Sequence, residues 1–369
     1  MSTLWRSVRQ GLARLREAIR HAWRRLWRHD VSPTPTAAAG PSAGAVEPLP
    51  PQLQVDAPRR FDAAPVATTE GVRASVFLAG RFTNDAGTRD YKLFIPGVPG
   101  AAPLPLLVML HGCKQNPDDF AAGTRMNLLA QEQPCVVLYP AQDAAANKWR
   151  CWNWFRHHDQ RRERGEPSII AGMTRHIIAT CAVDPRRVYV AGLSAGAAMA
   201  SIMTNAYPEL YAAAGIHSGL PHAAAHDLIS ALTAMRRGPS VRFGPSGAIP
   251  EQRAVPTIVF HGDRDTTVHP SNGDDVIEQA RSSWSDAADG ADAASGDVIV
   301  EQGQVPGGHA FTRTIHRDAA GRCDAEHWLV HGSGHAWSGG SASGSYTDPS
   351  GPDASREMLR FFAEHPRGD

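Results

Sequence analysis

In residues 188–200 a strand-like run, Val188-Tyr189-Val190-Ala191, breaks into Gly192-Leu193-Ser194-Ala195-Gly196 and continues as Ala197-Ala198-Met199-Ala200. Glycine on each side of a serine, between a strand pattern and a helix of small residues, describes a turn so tight that the serine backbone is strained. Strand and helix then pass within a side chain's width of each other. Such a turn sets Ser194 alone above a sheet, beside a helix N-terminus that favours developing negative charge. The bare G-x-S-x-G pattern also arises as a structural turn. The flanking strand and helix patterns favour a nucleophile here.

The rest of the chain supplies a sheet of the required kind. Short β-like runs alternate with helical patterns, which predicts βαβ units, a mainly parallel sheet and the α/β class. Strands are expected at residues 72–78, 91–95, 104–110, 135–139, 187–191, 212–216, 257–260 and 326–330, the first two antiparallel to each other. Residues 104–110 are nearly all apolar, as a strand buried on both faces must be. Helices are expected at 118–131, 169–180, 199–207 and 356–364, a cap over the site at 220–250, and a loose acidic loop at 282–296.

Ahead of this domain, expected over residues 67–369, stand two segments of different character. Residues 1–30 carry Trp5, Val8, Leu12, Leu15, Ile19, Trp23 and Leu26 at steps of three and four, with arginines between them, which reads as a basic amphipathic helix. Arg14, Arg16, Arg20, Arg24 and Arg25 interrupt every apolar stretch, so no secretory leader is expected. Anchoring on a lipid or coated hydrophobic surface is one reading of this helix; docking on its own domain or a partner, or targeting, is the other. Residues 31–66 are rich in proline and alanine and read as a linker.

Thirty-seven basic residues balance thirty-seven acidic ones in 369, so no overall field favours nucleic acid, and the N-terminal arginines alternate with an apolar stripe instead of forming a basic patch. No nucleic-acid partner is expected. Five cysteines without a C-x-x-C pair suggest no structural metal, and no cofactor is expected.

A serine hydroxyl reacts only when a base takes its proton, and the base needs a carboxylate to fix its tautomer. In a doubly wound sheet these follow in the order Ser, Asp, His, on loops at the C-terminal ends of strands. The strand at 257–260 runs into His261-Gly262-Asp263-Arg264-Asp265; Asp265 is the favoured acid, and Asp263 is read as capping the loop. The strand at 326–330 runs into the turn Gly332-Ser333-Gly334 and then His335, the favoured base. His331 is the strongest competitor, and His309 precedes a further strand pair. His111, His217 and His261 sit at strand ends and read as hydrogen-bonded core residues. For the oxyanion, one amide is expected from Ala195 and the other from Cys113 in the loop His111-Gly112-Cys113-Lys114-Gln115. Cys113 and Cys151 could be bridged or could be two buried thiols; the residues alone leave this open. Trp149 and Trp337 are candidates for an apolar substrate groove, with core packing the alternative. Core packing is preferred for Trp152 and Trp154.

Together, Leu110-His111-Gly112-Cys113, Cys151-Trp152-Asn153-Trp154, Gly192-Leu193-Ser194-Ala195-Gly196, His261-Gly262-Asp263-Arg264-Asp265, Gly334-His335-Ala336-Trp337-Ser338-Gly339-Gly340 and the tail from Gly344 to Glu357 resemble the poly(3-hydroxybutyrate) depolymerase family of serine esterases. The resemblance covers about 300 residues. It implies an α/β-hydrolase fold with Ser194 as nucleophile, Asp265 as acid, His335 as base and Cys113 at the oxyanion hole, paired with Cys151. It further implies a polyester or short-chain ester substrate. Secreted members carry a signal peptide and a C-terminal substrate-binding module, neither expected here, and related members act on feruloyl or acetyl esters of plant polysaccharides. The expectation is therefore a granule-associated cytoplasmic enzyme held by residues 1–30. An extracellular or periplasmic location and an adapter with an inactive hydrolase domain remain as alternatives.

Overall fold

The computed structural model describes residues 74–98, 102–238, 255–287 and 296–368. The helix expected over 1–30 and the linker over 31–66 lie outside the described residues, as do residues 239–250 of the expected cap and 288–295 of the expected acidic loop.

Ten strands form one sheet among the described residues, in the order β1-β2-β4-β3-β5-β6-β7-β10-β9-β8. They are β1 (Val76–Asn84), β2 (Gly87–Ile95), β3 (Leu104–Leu110), β4 (Val136–Pro140), β5 (Val183–Leu193), β6 (Ala213–His217), β7 (Thr257–Gly262), β8 (Val298–Gln304), β9 (Ala310–Arg317) and β10 (Cys323–Val330). The six central strands, from β4 through β10, run parallel, and antiparallel strands flank them on both sides. Every residue of β4, β6 and β7 is buried, which is why these segments read as continuous apolar runs and not as alternating ones. Ser194, Asp265 and His335 follow β5, β7 and β10, so the order of the sheet brings three sequence-distant loops to one edge.

Helices cover the faces: α1 (Pro117–Thr124), α2 (Met126–Glu132), α3 (Gly165–Thr180), α4 (Ala195–Ala206), α5 (Leu228–Arg237), α6 (Ser271–Ala287) and α7 (Ala354–Glu364). A short two-stranded pairing, β11 (Trp337–Ser338) with β12 (Thr347–Asp348), folds the C-terminal loops over the sheet edge. No helix among the described residues is long and apolar enough to cross a membrane.

Three expectations are corrected. The single helix expected over 118–131 is two, because Arg125 adopts φ 56° and breaks the run, its guanidinium reaching Gly339 O (2.9 Å) and Asp353 Oδ2 (3.0 Å). The first strand begins at Val76, later than expected, and continues to Asn84, where Asn84 Oδ1 accepts from Ala86 N (3.0 Å) to close the hairpin turn. Residues 282–287 continue α6 instead of opening a loop.

The core beneath the site is aromatic. Phe260 stacks on Trp328 (5.2 Å between centroids) and His217 on Trp337 (5.0 Å), and Phe120 meets Trp337 edge-on at 5.4 Å. Strand β10 is tied down by Glu326, 1% exposed, which pairs with Arg313 of β9 (2.8 Å) and Arg360 of α7 (2.7 Å). Burial pushes the Glu326 carboxyl up, but these two guanidiniums overcome that and hold it below the usual range.

Candidate active site

Ser194 sits at φ 57°, ψ −119°, between the end of β5 and the start of α4. A side chain at Gly192 would lie 2.5 Å from the Gly196 carbonyl carbon and 2.7 Å from Leu110 O, and one at Gly196 would overlap Leu110 O. The two glycines thus allow helix, nucleophile turn and β3 to meet backbone to backbone. The amide of Ser194 donates to His217 O (2.9 Å).

Asp265 and His335 are in contact: His335 Nδ1 lies 2.6 Å from Asp265 Oδ2, with the carboxylate wholly buried and the imidazole nearly so. The other oxygen, Asp265 Oδ1, accepts from Thr267 N and Val268 N, both at 2.8 Å. His261 Nε2 approaches Oδ2 at 3.4 Å and faces Val268 O at 2.9 Å. Burial alone would raise this carboxyl, but attraction to His335 and the hydrogen bonds from His261 and His335 reverse the effect and hold it far below the usual carboxylate range. Asp265 is therefore a fixed anion that orients one imidazole. His335 Nε2 is buried and makes no hydrogen bond; Ser194 and His335 share the edge without a bond between Oγ and Nε2. Contacts of this kind often tighten only around bound substrate.

The competitors are accounted for. Asp263 accepts from Gly332 N (2.7 Å) and pairs with His331 Nδ1 (3.1 Å), so this acid and this histidine are engaged with each other. His309 pairs with Asp348 at 3.0 Å. His111 is hydrogen-bonded at both nitrogens, to Gly112 O and from Gln142 N, and burial drops its pKa to about 4. His217 accepts from Ser338 N (2.9 Å), and burial, reinforced by His261 and His335, drives its pKa well below the ordinary value. His217 is a neutral strut, with its carbonyl on Ser194 and its ring on the loop beyond His335.

On the opposite side, Cys113 and Cys151 form a disulfide. Among the described residues the Cys113 amide donates to no protein group, although its neighbours do: Gly112 N to Gln115 Oε1 (2.9 Å) and Lys114 N to Trp149 O (2.7 Å). Ala195 is the first residue of α4, where an amide has no partner within the helix. Trp149 is 40% exposed, with Lys114 Nζ and Lys148 Nζ 5.8 Å and 5.9 Å from its ring centroid. Trp337 is 1% exposed and donates from Nε1 to Ser355 Oγ (3.0 Å), so it is a core residue and not a groove wall. Trp152 and Trp154 are also buried. A polar cleft of about 620 Å³ lies beside His111, lined by Arg89, Asp90 and Arg150 among others, but Ser194, Asp265 and His335 do not line it. No group of three or more potential metal ligands comes together among the described residues.

The sequence reading missed what holds the disulfide wall. Glu166, 3% exposed, accepts from Asn153 N (2.7 Å), Asn153 Nδ2 (2.6 Å) and Gln142 Nε2, and Arg89 lies 3.4 Å away. Burial and the nearby charge of Asp159 raise this carboxyl above its ordinary value. Glu166 lies in the charged run Arg161-Arg162-Glu163-Arg164-Gly165-Glu166, where nothing distinguishes it from a surface residue.

A family model described as Esterase PHB depolymerase matches residues 89–300, more than half of the chain. The chain belongs to the esterase PHB depolymerase family. The matched span contains Ser194 and Asp265 and ends before His335. Within the family's reach, the chain is 33% identical over 229 residues to poly(3-hydroxyalkanoate) depolymerase C of Paucimonas lemoignei, covering 59% of this chain and 54% of that protein. It is 30% identical over 142 residues to feruloyl esterase B of Neurospora crassa (38% and 47% covered) and 26% identical over 214 residues to acetylxylan esterase A of Talaromyces purpureogenus (53% of each). The chain thus spans about half the length of the curated relatives it matches. Among solved structures, acetyl xylan esterase from Aspergillus awamori superposes with a TM-score of 0.56 at 18% identity, over 78% of this chain and 99% of that one. This likeness establishes the α/β-hydrolase fold.

Proposed function

We propose that this chain is a serine carboxylesterase that hydrolyses poly(3-hydroxybutyrate), another short-chain polyhydroxyalkanoate or their oligomers through an acyl-enzyme. The observation that carries the reading is a serine held at positive φ on a strand-turn-helix, sharing its sheet edge with a buried imidazole. That imidazole has Nδ1 bound to a carboxylate and Nε2 without a partner. Membership of the family and the likeness to poly(3-hydroxyalkanoate) depolymerase C support the polyester as substrate.

In this reading His335 Nε2 takes the Ser194 proton as Oγ attacks the ester carbonyl, and Asp265 stabilises the imidazolium. The tetrahedral oxyanion is held by the Ala195 and Cys113 amides. Collapse expels the alcohol, which takes its proton from His335. A water activated by the same imidazole then adds to the acyl-enzyme, releasing a 3-hydroxy acid and restoring Ser194. Trp149, the exposed aromatic beside this loop, would contact the acyl or alcohol part of the substrate. Residues 1–30, as a basic amphipathic helix, would hold the enzyme on the surface of polyester granules or a membrane.

A fluorophosphonate should label the chain at Ser194, because only an activated serine is trapped covalently; absence of labelling would leave the adapter reading. Turnover of 3-hydroxybutyrate oligomers should exceed that of methyl ferulate and acetylated xylan. The reverse order would assign the chain to the polysaccharide esterases that it also resembles. Removing residues 1–30 should abolish granule binding while p-nitrophenyl butyrate is still hydrolysed, and undiminished binding would refute the anchoring role.

A further inference from the structure

Two residues before the acid lies a second carboxylate, and four before the base a second imidazole, and these also meet. Asp263 Oδ1 accepts from Gly332 N (2.7 Å), while Oδ2 faces His331 Nδ1 (3.1 Å) and His331 Nε2 faces Thr312 Oγ1 (2.9 Å). The same loops are joined along their backbones, Asp263 N to Val330 O (3.1 Å) and Arg264 N to Ser333 O (3.0 Å). They approach so closely that a side chain at Gly262 would lie 2.7 Å from Gly334 O and overlap Ser333 O. From the other side Ser333, 2% exposed, donates its hydroxyl to Asp348 (2.8 Å). The turn 332–334 is therefore gripped on both sides, and its next residue is His335.

We propose that Asp263 is a positioning residue: by holding Gly332 N and His331 it fixes the turn so that the His335 imidazole stays on Asp265. The proposal rests on the esterase reading for its kinetic consequences but not for its geometry. The Asp263 side chain hydrogen-bonds to Gly332 and His331, and its pair is far more open than the one it serves, with side chains 40% and 34% exposed against 8% and 0%. An acceptor at Gly332 N matters because Gly332 stands at φ 84° and its amide has no other partner in the turn. Without that bond the turn keeps the contacts of Arg264 N, the Ser333 hydroxyl and the Asp263 main chain and, one residue earlier, His331 N on Ala310 O (2.8 Å), none of which engages the Gly332 amide. The charged and titratable groups facing His335 are Asp265, and through it His261, together with His217 from β6. A turn that slackens carries the imidazole away from the carboxylate and leaves the two neighbouring rings where they are.

The test compares Asp263→Ala, Asp263→Asn and His331→Ala in the full chain. Asp263→Ala should lower kcat by roughly 10- to 100-fold, as a displacement of about an ångström at a reacting group does, with KM nearly unchanged. Because the imidazole loses its stabilising carboxylate, the acid limb of the kcat/KM profile should move to lower pH. Asparagine retains an acceptor for Gly332 N and a donor for His331 Nδ1, so Asp263→Asn should remain within about threefold of the parent with its acid limb in place. His331→Ala should shift the limb in the same direction as Asp263→Ala, by less. Wild-type kcat in Asp263→Ala, or a loss of kcat with an unmoved acid limb, would overturn the proposal. If Asp263→Ala does not fold, an unmoved limb in His331→Ala, or an Asp263→Asn variant with a displaced limb, overturns it equally. The downfield proton resonance of the Nδ1–H between His335 and Asp265 separates this from the esterase reading, since it requires no turnover. It should be present in the parent, persist in Asp263→Asn and broaden or vanish in Asp263→Ala.

Discussion

Ser194 stands between two walls that each contain a buried carboxylate, and the two carboxylates are shifted in opposite directions. On the disulfide side Glu166 is met by the Asn153 and Gln142 amides, with Arg89 at 3.4 Å and the like charge of Asp159 nearby, and its carboxyl is raised. On the imidazole side Asp265 is met by two backbone amides and two histidines, and its carboxyl is lowered. Both are desolvated to a similar degree, so the partners decide. At Glu166 the like charge of Asp159 adds to burial and the amides offset them only in part, whereas at Asp265 imidazoles that can become cations favour ionisation. One wall is closed covalently by Cys113–Cys151, and the other sets a buried carboxylate against imidazoles that can take up a proton.

The largest expected effect removes what both walls serve. Ser194→Ala should lower kcat by about 10⁴ to 10⁶, leaving only binding and oxyanion stabilisation, and near-parental turnover would take Ser194 out of the chemistry. On the charged wall, Asp265→Asn should cost about 10⁴ in kcat, because the imidazole loses its tautomer and its counter-charge. A loss confined to KM would show that Asp265 is scaffold after all. On the covalent wall, reducing the disulfide or introducing Cys151→Ser should lower kcat by about 10² at most, the effect of one loosened oxyanion donor. The same change should lower stability by on the order of 3 to 4 kcal/mol in denaturant titrations, for a closed loop of 38 residues. Unchanged kcat after reduction would mean that the Glu166 network holds the Cys113 amide unaided.

The smallest effect, and the sharpest on the contrast, is the pH dependence of unfolding. Asp265 binds its proton less tightly folded than unfolded, so it contributes stability above the usual carboxylate range and loses it as pH falls through its depressed folded value. Glu166 binds its proton more tightly folded, so its contribution is complete below the ordinary glutamate range and is lost as pH rises through its raised value. Denaturation midpoints followed against pH should therefore show Asp265→Asn flattening the acid-side fall and Glu166→Gln flattening a decline on the alkaline side of the ordinary glutamate value. Parallel curves for the two variants would remove the distinction between the walls.

Much of this architecture is legible from residues because the parallel centre is buried on both faces. A run such as 104–110 then has little choice of structure, and the structure places a strand at those residues. The turn at Ser194 is legible for a related reason, since only glycine tolerates the approach of β3. The break at Arg125 carries no local sign, because the αL residue is an arginine held by Gly339 and Asp353, more than two hundred positions away. Helix α6 was missed because its residues are mostly polar and small, with Val276 and Ile277 among its few buried apolar positions. Glu166 and the Asp263–His331 pair share this property. Each draws its meaning from partners on loops distant in sequence, and an acid such as Glu166 in a charged run does not reveal that it is buried.

The overlap that a side chain at Gly196 would make with Leu110 O, and its 2.6 Å approach to His111 O, also bears on how this protein can be recombined with its relatives. A chimaera with a crossover between residues 111 and 192 would take the two surfaces of that contact from different parents, each shaped against a different neighbour. Segments spanning both should transplant as a block, and the same holds for the loop bearing His335 and the end of β7, since a side chain at Gly262 would overlap Ser333 O.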